Sequence, residues 1–152
     1  DEEEFVIAQR VTGPHIDVQS VASMAQLAQL QAECRTVYVD PALVQYAVRL
    51  VAATRRPADA GVPELAPMIT YGASPRATIG LIEGARALAL MRGRGYALPD
   101  DLSDLAPDVL RHRLVLSYPA LSEGLSADQV VTRIMARVPA PPRPLQHEKL
   151  AA

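Results

Sequence analysis

From Ala77 to Met91 only Thr78, Glu83 and Arg86 are clearly polar. A helical segment that is apolar around most of its circumference must be wrapped by other elements, so this stretch predicts the central helix of a helical domain. It is led in by Tyr71-Gly72-Ala73-Ser74-Pro75-Arg76. Ser74 has the chemistry of an N-cap, Pro75 has its φ preset for the first helical position, and Arg76 falls on the first turn. Free backbone N–H groups and the positive end of the helix dipole attract anions there, and a guanidinium adds charge-assisted bonds to a phosphate. Arg76 therefore has two readings: a phosphate ligand, or a structural arginine whose stem packs on the core while its head is solvated or paired. Within the helix, Gly80 and Gly84 each cost up to ~1 kcal/mol of propensity relative to alanine. Their four-residue spacing puts them on one face and predicts close approach by a neighbouring helix.

The remaining chain supplies the elements to wrap it. Residues 1–10 read as an acidic helical start whose Phe5, Val6 and Ile7 need covering, ended by Gly13-Pro14. Val21, Met24, Ala25, Leu27, Ala28 and Ala32 recur at helical steps up to Cys34, with Ser20 or Asp17 as the expected cap. Arg35 to Val39 is short and β-branched. Asp40-Pro41 starts a further helix with a buried stripe of Leu43, Val44, Ala47, Val48, Leu50, Val51 and Thr54, leaving Gln45, Arg49 and Arg55 opposite. Residues 55–72 hold three prolines and two glycines and read as a long loop. After the central helix, Arg92-Gly93-Arg94-Gly95 predicts a left-handed C-terminal cap. Pro99-Asp100-Asp101 opens a helix with acids in its first turn, which Pro107 is expected to break or restart. Leu114 to Leu121 reads as a short strand or extended crossing. Ser126 with Gln129 signals a last helix, Ala127 to Val138, before a proline-rich tail. The expected fold class is all-α, a bundle of about five or six helices joined by short extended links. Three parts are expected: an acidic segment at 1–18, a helical body at 19–139 and a flexible tail at 140–152.

Composition excludes several functions. With 152 residues the chain is long enough for one domain with a proper core. Fifteen basic against 17 acidic residues give a net charge of −2, which argues against nucleic acid or an anionic membrane as the main partner. The single cysteine, Cys34, excludes an internal disulfide and a multi-cysteine zinc site, which fits a reducing cytoplasm. The longest uncharged stretch near the start, Val18 to Ala32, is too short and glutamine-rich to span a bilayer. Asp100, Asp101 and Asp104 read as helix-start acids rather than a magnesium cluster. His112 and His147 lack a second histidine at ligand spacing. The opening Asp1-Glu2-Glu3-Glu4 without methionine, and the closing PAPPRP run, read as the ends of a domain cut from a longer protein. No glycine-rich loop ends in Gly-Lys-Ser or Gly-Lys-Thr, so the chain alone is not expected to hydrolyse ATP.

Several motifs in order carry a resemblance. Gly72-Ala73-Ser74-Pro75-Arg76-Ala77, then Ala85-Arg86-Ala87, Gly93-Arg94-Gly95-Tyr96, Pro99-Asp100-Asp101 and Leu105-Ala106-Pro107-Asp108-Val109-Leu110-Arg111-His112-Arg113 resemble the carboxy-terminal lid of MoxR-type AAA+ ATPases. Tyr46 and Val51-Ala52-Ala53-Thr54-Arg55 are similar to the helix preceding that motif. The resemblance implies that Arg76 is the sensor-2 arginine, reaching the γ-phosphate of ATP held with Mg2+ mainly by a preceding P-loop domain. Gly72, Ala73, Ser74, Pro75, Arg76 and Ala77 are then the nucleotide-facing turn. It also implies a chaperone-type ring ATPase whose partners are its own P-loop domain, neighbouring subunits and proteins with a von Willebrand factor A domain. The rival reading is a helical nucleic-acid or protein-interaction module using Arg92, Arg94, Arg111 and Arg113, with His112, as a patch.

Overall fold

The computed structural model describes residues 2–14 and 19–142, which divide into a unit ending at Leu30 and a larger one beginning at Gln31. In the first unit, helix α1 (Glu2–Thr12) has Glu2, Glu3 and Glu4 in its first turn and Arg10 in its last, both favourable to the helix dipole. None of its residues is buried, and Phe5 and Ile7 are among the exposed large apolar side chains. Helix α2 (Met24–Thr36) crosses the division between the units. Its cap is neither of the residues expected. Ser23 accepts from the Gln26 N–H at 3.2 Å, and the Ser23 N–H donates to Gln26 Oε1 at 2.7 Å, a reciprocal capping box that outcompetes Ser20. Asp17 lies outside the described residues, as do His147, Glu148 and most of the expected tail. The stripe through Met24 and Leu27 exists but stays exposed, and no residue of α2 is buried.

The larger unit holds the core. Helix α3 (Pro41–Arg55) starts as expected, with Asp40 Oδ1 accepting from the Ala42 N–H at 2.8 Å. Its buried face carries Leu43, Tyr46, Ala47, Leu50, Val51, Ala53 and Thr54. Val44 and Val48, expected inside, are exposed, because the buried arc turns toward Tyr46 and Ala53 and leaves them on its far edge. Helix α4 (Pro75–Met91) is the central helix: Ala77, Leu81, Ala85 and Ala89 have no solvent exposure at all. Helix α5 (Pro99–Leu110) lies along α4 and buries Leu102, Ala106 and Leu110. A Cβ added to Gly84 would meet Leu105 Cδ1 at 3.0 Å and one on Gly80 would meet Val109 Cγ1 at 3.5 Å, so these glycines do mark the close helix–helix approach. Pro107 does not break α5. An interior proline costs about 3 kcal/mol of local preference, and the apolar stripe on either side of it, fully buried from Leu102 to Leu110, keeps the helix running. Each such leucine contributes roughly 1.5–3 kcal/mol by leaving water.

The stretch expected as a loop is largely ordered into short elements. Ala58–Ala60 and Pro63–Met68 form 3-10 turns, with Leu65 fully buried. Ile69–Tyr71 is strand β1, paired antiparallel with β2 (Val115–Leu116) in a two-stranded sheet. Proline density excluded an α-helix there but not short 3-10 turns, whose few i→i+3 bonds can be made around the prolines. Beyond a 3-10 turn at Arg111–Arg113 and β2, the chain makes the five-residue helix α6 (Tyr118–Ser122) and then α7 (Ala127–Arg137). The reciprocal bonds of Ser126 and Gln129 open α7 as the sequence indicates. Six of the seven described α-helices fall in expected segments; α6 was hidden in the apolar run from Leu114.

Candidate functional site

The turn into α4 is held against the last turn of α3 by three independent features. An added Cβ at Gly72 would lie 2.4 Å from the Thr54 carbonyl oxygen and 2.7 Å from the Arg55 amide nitrogen, so backbone touches backbone there. The Ala73 N–H donates to Thr54 Oγ1 at 2.9 Å, and that hydroxyl in turn donates to the Val51 carbonyl at 2.7 Å. The Arg55 guanidinium donates to the Ala73 carbonyl. Thr54 and Ala73 are both buried without measurable exposure. Replacing Thr54 with valine keeps the shape but strands the Ala73 N–H. The expected loss, read from urea denaturation, is about 1–3 kcal/mol; a change within ~0.5 kcal/mol would show that the bond contributes little.

Beyond the clamp the chain turns outward. Ser74 has the extended backbone of an N-cap (φ −75°, ψ 166°), but its hydroxyl makes no capping bond, contrary to expectation; only its carbonyl engages, accepting from the Ala77 N–H at 2.9 Å. Pro75 occupies the first helical turn. Arg76 follows, exposed, and makes no hydrogen bond or ion pair with any described residue. Ala77 is buried and fixes this turn to the core. The six predicted residues thus form one continuous turn, with Gly72, Ala73 and Ala77 inward and Ser74, Pro75 and Arg76 outward. Thr54 and Arg55, which hold it, were legible only as helix residues.

An open cavity of about 490 Å3 is lined by Thr54, Arg55, Arg56, Asp59, Tyr71 and Gly72 among others, and does not include Arg76. Another, of about 320 Å3, is lined by Arg49, Arg56, Arg137 and Pro139 and contains none of the predicted residues.

The opposite end of α4 is built for rigidity. Gly93 adopts φ 71°, its N–H donates to the Leu90 carbonyl at 2.9 Å, and the Arg94 N–H reaches back to the Ala89 carbonyl at 2.9 Å. This is the left-handed cap expected from the sequence. It directs Arg92 and Arg94 onto Asp101, whose carboxylate is fully buried and also accepts from the Leu98 N–H at 2.8 Å. Arg92 bonds Asp104 as well, at 2.6 Å. Burial pushes the Asp101 carboxyl up, but Arg94, the Leu98 N–H and Arg92 outweigh it and hold the group below the ordinary carboxylate value. Arg111 pairs with Asp108 at 2.8 Å and Asp128 at 3.1 Å, and Arg113 donates to the Val109 carbonyl and contacts His112. The arginines of the supposed patch are therefore turned to partners inside the chain, and Asp101 and Asp104 are salt-bridge acids.

Residues 64–134 match the AAA lid domain family. The relatives narrow the class. Chaperone MoxR1 of Mycobacterium tuberculosis is 42% identical over 141 residues, 93% of this chain and 37% of that protein. Protein MoxR of Paracoccus denitrificans is 34% identical over 110 residues, 68% of this chain and 32% of that one. A crystal structure of a candidate ATPase from Cytophaga hutchinsonii superposes with a TM-score of 0.79 at 36% identity, covering 93% of this chain and 43% of the other. The chain belongs to the MoxR-type AAA+ family as an AAA lid domain, and it spans less than half the length of each of these relatives. No described helix is long and apolar enough to cross a membrane.

Proposed function

We propose that this lid senses the nucleotide of its parent ATPase through Arg76, and that it is inactive by itself. The observation that supports this is the exposed Arg76, without a hydrogen bond or ion pair among the described residues, on a helix start whose backbone is held from behind by Thr54, Arg55 and Gly72. A P-loop domain would hold ATP and Mg2+, and Arg76 would add charge-assisted bonds to the terminal phosphate, present with ATP and lost with ADP. Such a difference between two ligands is what biases a lid between two positions. The turn from Gly72 to Ala77 is the nucleotide-facing surface, the helical body spans 19–139, and segments 1–18 and 140–152 flank it. The partners that fit are the P-loop domain, neighbouring subunits of a ring and, for a chaperone-type role, a protein with a von Willebrand factor A domain working alongside. This assembly would work in the cytoplasm.

In the full-length protein, Arg76→Ala is expected to lower the ATP hydrolysis rate about tenfold or somewhat more, the equivalent of losing one charge-assisted bond. Phosphate release measures it. Melting of the isolated chain should shift little, since an exposed side chain without partners is replaced. Unchanged turnover would remove Arg76 from the nucleotide site.

A further inference from the structure

We propose that Arg55 is a positioning residue for Arg76, acting through the Ala73 carbonyl. The inference rests on the reading of Arg76 as the nucleotide-sensing arginine and names the part of the chain that aims it.

The geometry is specific. A peptide unit is planar and trans, so fixing one of its polar groups fixes the direction of the other. The Ala73 N–H is held by Thr54 Oγ1, which sets the Gly72–Ala73 plane. The Ala73 carbonyl is held by the Arg55 guanidinium, which sets the Ala73–Ser74 plane and directs the Ser74 N–H away from α3. Ser74 follows with extended backbone (φ −75°, ψ 166°), the region to which a residue before proline is restricted, and the φ of Pro75 is set by its ring. Two held planes, the restricted Ser74 and the proline ring together set how α4 begins, and with it where Arg76 leaves the surface. Ser74 contributes no side-chain capping bond that would do this instead. Without Arg55, the Ala73–Ser74 plane keeps only its covalent neighbours as restraints, while Gly72 and Thr54 still anchor the turn. The fold should therefore persist while the first turn of α4 gains freedom. An arginine in the last turn of α3 would also suit that helix's dipole without touching function, and the experiment separates the two roles.

In the full-length ATPase, four proteins form a cycle: wild type, Arg55→Gln, Arg76→Ala and the double variant, with Arg55→Lys alongside. Because small misplacements of a binding group are costly, Arg55→Gln is expected to lower kcat roughly three- to tenfold. Arg55→Lys, which still has an N–H to offer the Ala73 carbonyl, should recover part of the loss. On the Arg76→Ala background, Arg55→Gln should cause no further fall in kcat, because the group it aims is gone. Equal falls on both backgrounds would overturn the proposal, since Arg55 would then act independently of Arg76. So would full activity of Arg55→Gln beside an impaired Arg76→Ala. Full activity of Arg76→Ala would instead defeat the sensing role itself, and this proposal with it.

Discussion

Valine at Gly72 is expected to destabilise the helical body by about 3 kcal/mol or more, at or beyond the usual upper range for overpacking. The added Cβ would sit 2.4 Å from the Thr54 carbonyl oxygen and 2.5 Å from its carbon. Both are backbone atoms of α3, so no rotamer change relieves the clash; either α3 or β1 must shift. Urea denaturation of the isolated chain measures the loss. Gly95→Ala is the control, because nothing lies within 4 Å of its added Cβ, and its effect should stay within about 0.5 kcal/mol. If Gly72→Val were as mild as the control, the contact between the turn and α3 would have to be looser than described.

Asp101→Ala is the second large effect. It removes the acceptor shared by Arg92, Arg94 and the Leu98 N–H. Breaking a fully buried ion pair costs about 3–5 kcal/mol. Here Arg94 and Arg92 keep 20% and 40% of their side-chain surface in water, so they can rehydrate, and about 2–4 kcal/mol is expected. The pH dependence has a definite sign. The folded-state carboxyl titrates below its ordinary value of 3.8, so the folded state holds its proton less tightly than the unfolded chain. The stabilisation is complete above that ordinary value and is lost as pH falls through the lowered folded-state value. Urea midpoints measured from neutral pH down to about pH 2, spanning the ordinary aspartate range, should therefore drop for the wild type in that acid window. They should drop less for Asp101→Asn. Parallel acid profiles for the two proteins would show that another carboxylate governs the acid limb.

Much of this was readable from residue types alone because the signals were local. Asp40-Pro41, Pro75, Gly93 and the Ser126–Gln129 pair each act within a few residues, and each marks a helix end where one is found. Gly80 and Gly84 carried one piece of tertiary information, since glycine inside a helix is costly unless a neighbour needs the space. What stayed hidden depends on distant partners. Whether Val44 or Tyr46 faces inward is decided by where α4 and α7 lie. The 3-10 turns between Ala58 and Met68 depend on the burial of Leu65, and β1 exists only because β2 returns beside it. Pro107 misled in the other direction: its local penalty is real, but packing on both sides exceeds it. In the candidate site, the predicted turn from Gly72 to Ala77 could be read from its own residues. The two α3 side chains that hold it could not, because nothing local links Thr54 and Arg55 to a turn 18 residues away.

Helix α4 is gripped at its start by the Gly72–Ala73 clamp and finished by the Gly93 cap, with an unbroken column of buried alanine and leucine between. Packed along its length by α5, it therefore moves with α5 as one stiff rod. Seventeen residues make a rod about 25 Å long, so a tilt of about 5° around the clamp carries the far end through about 2 Å. That far end is tied by Arg92 and Arg94 to the first turn of α5. On the proposed sensing role, a small pull on Arg76 would leave the lid as a displacement at its opposite pole, where the arginine–aspartate cluster ties α4 to α5.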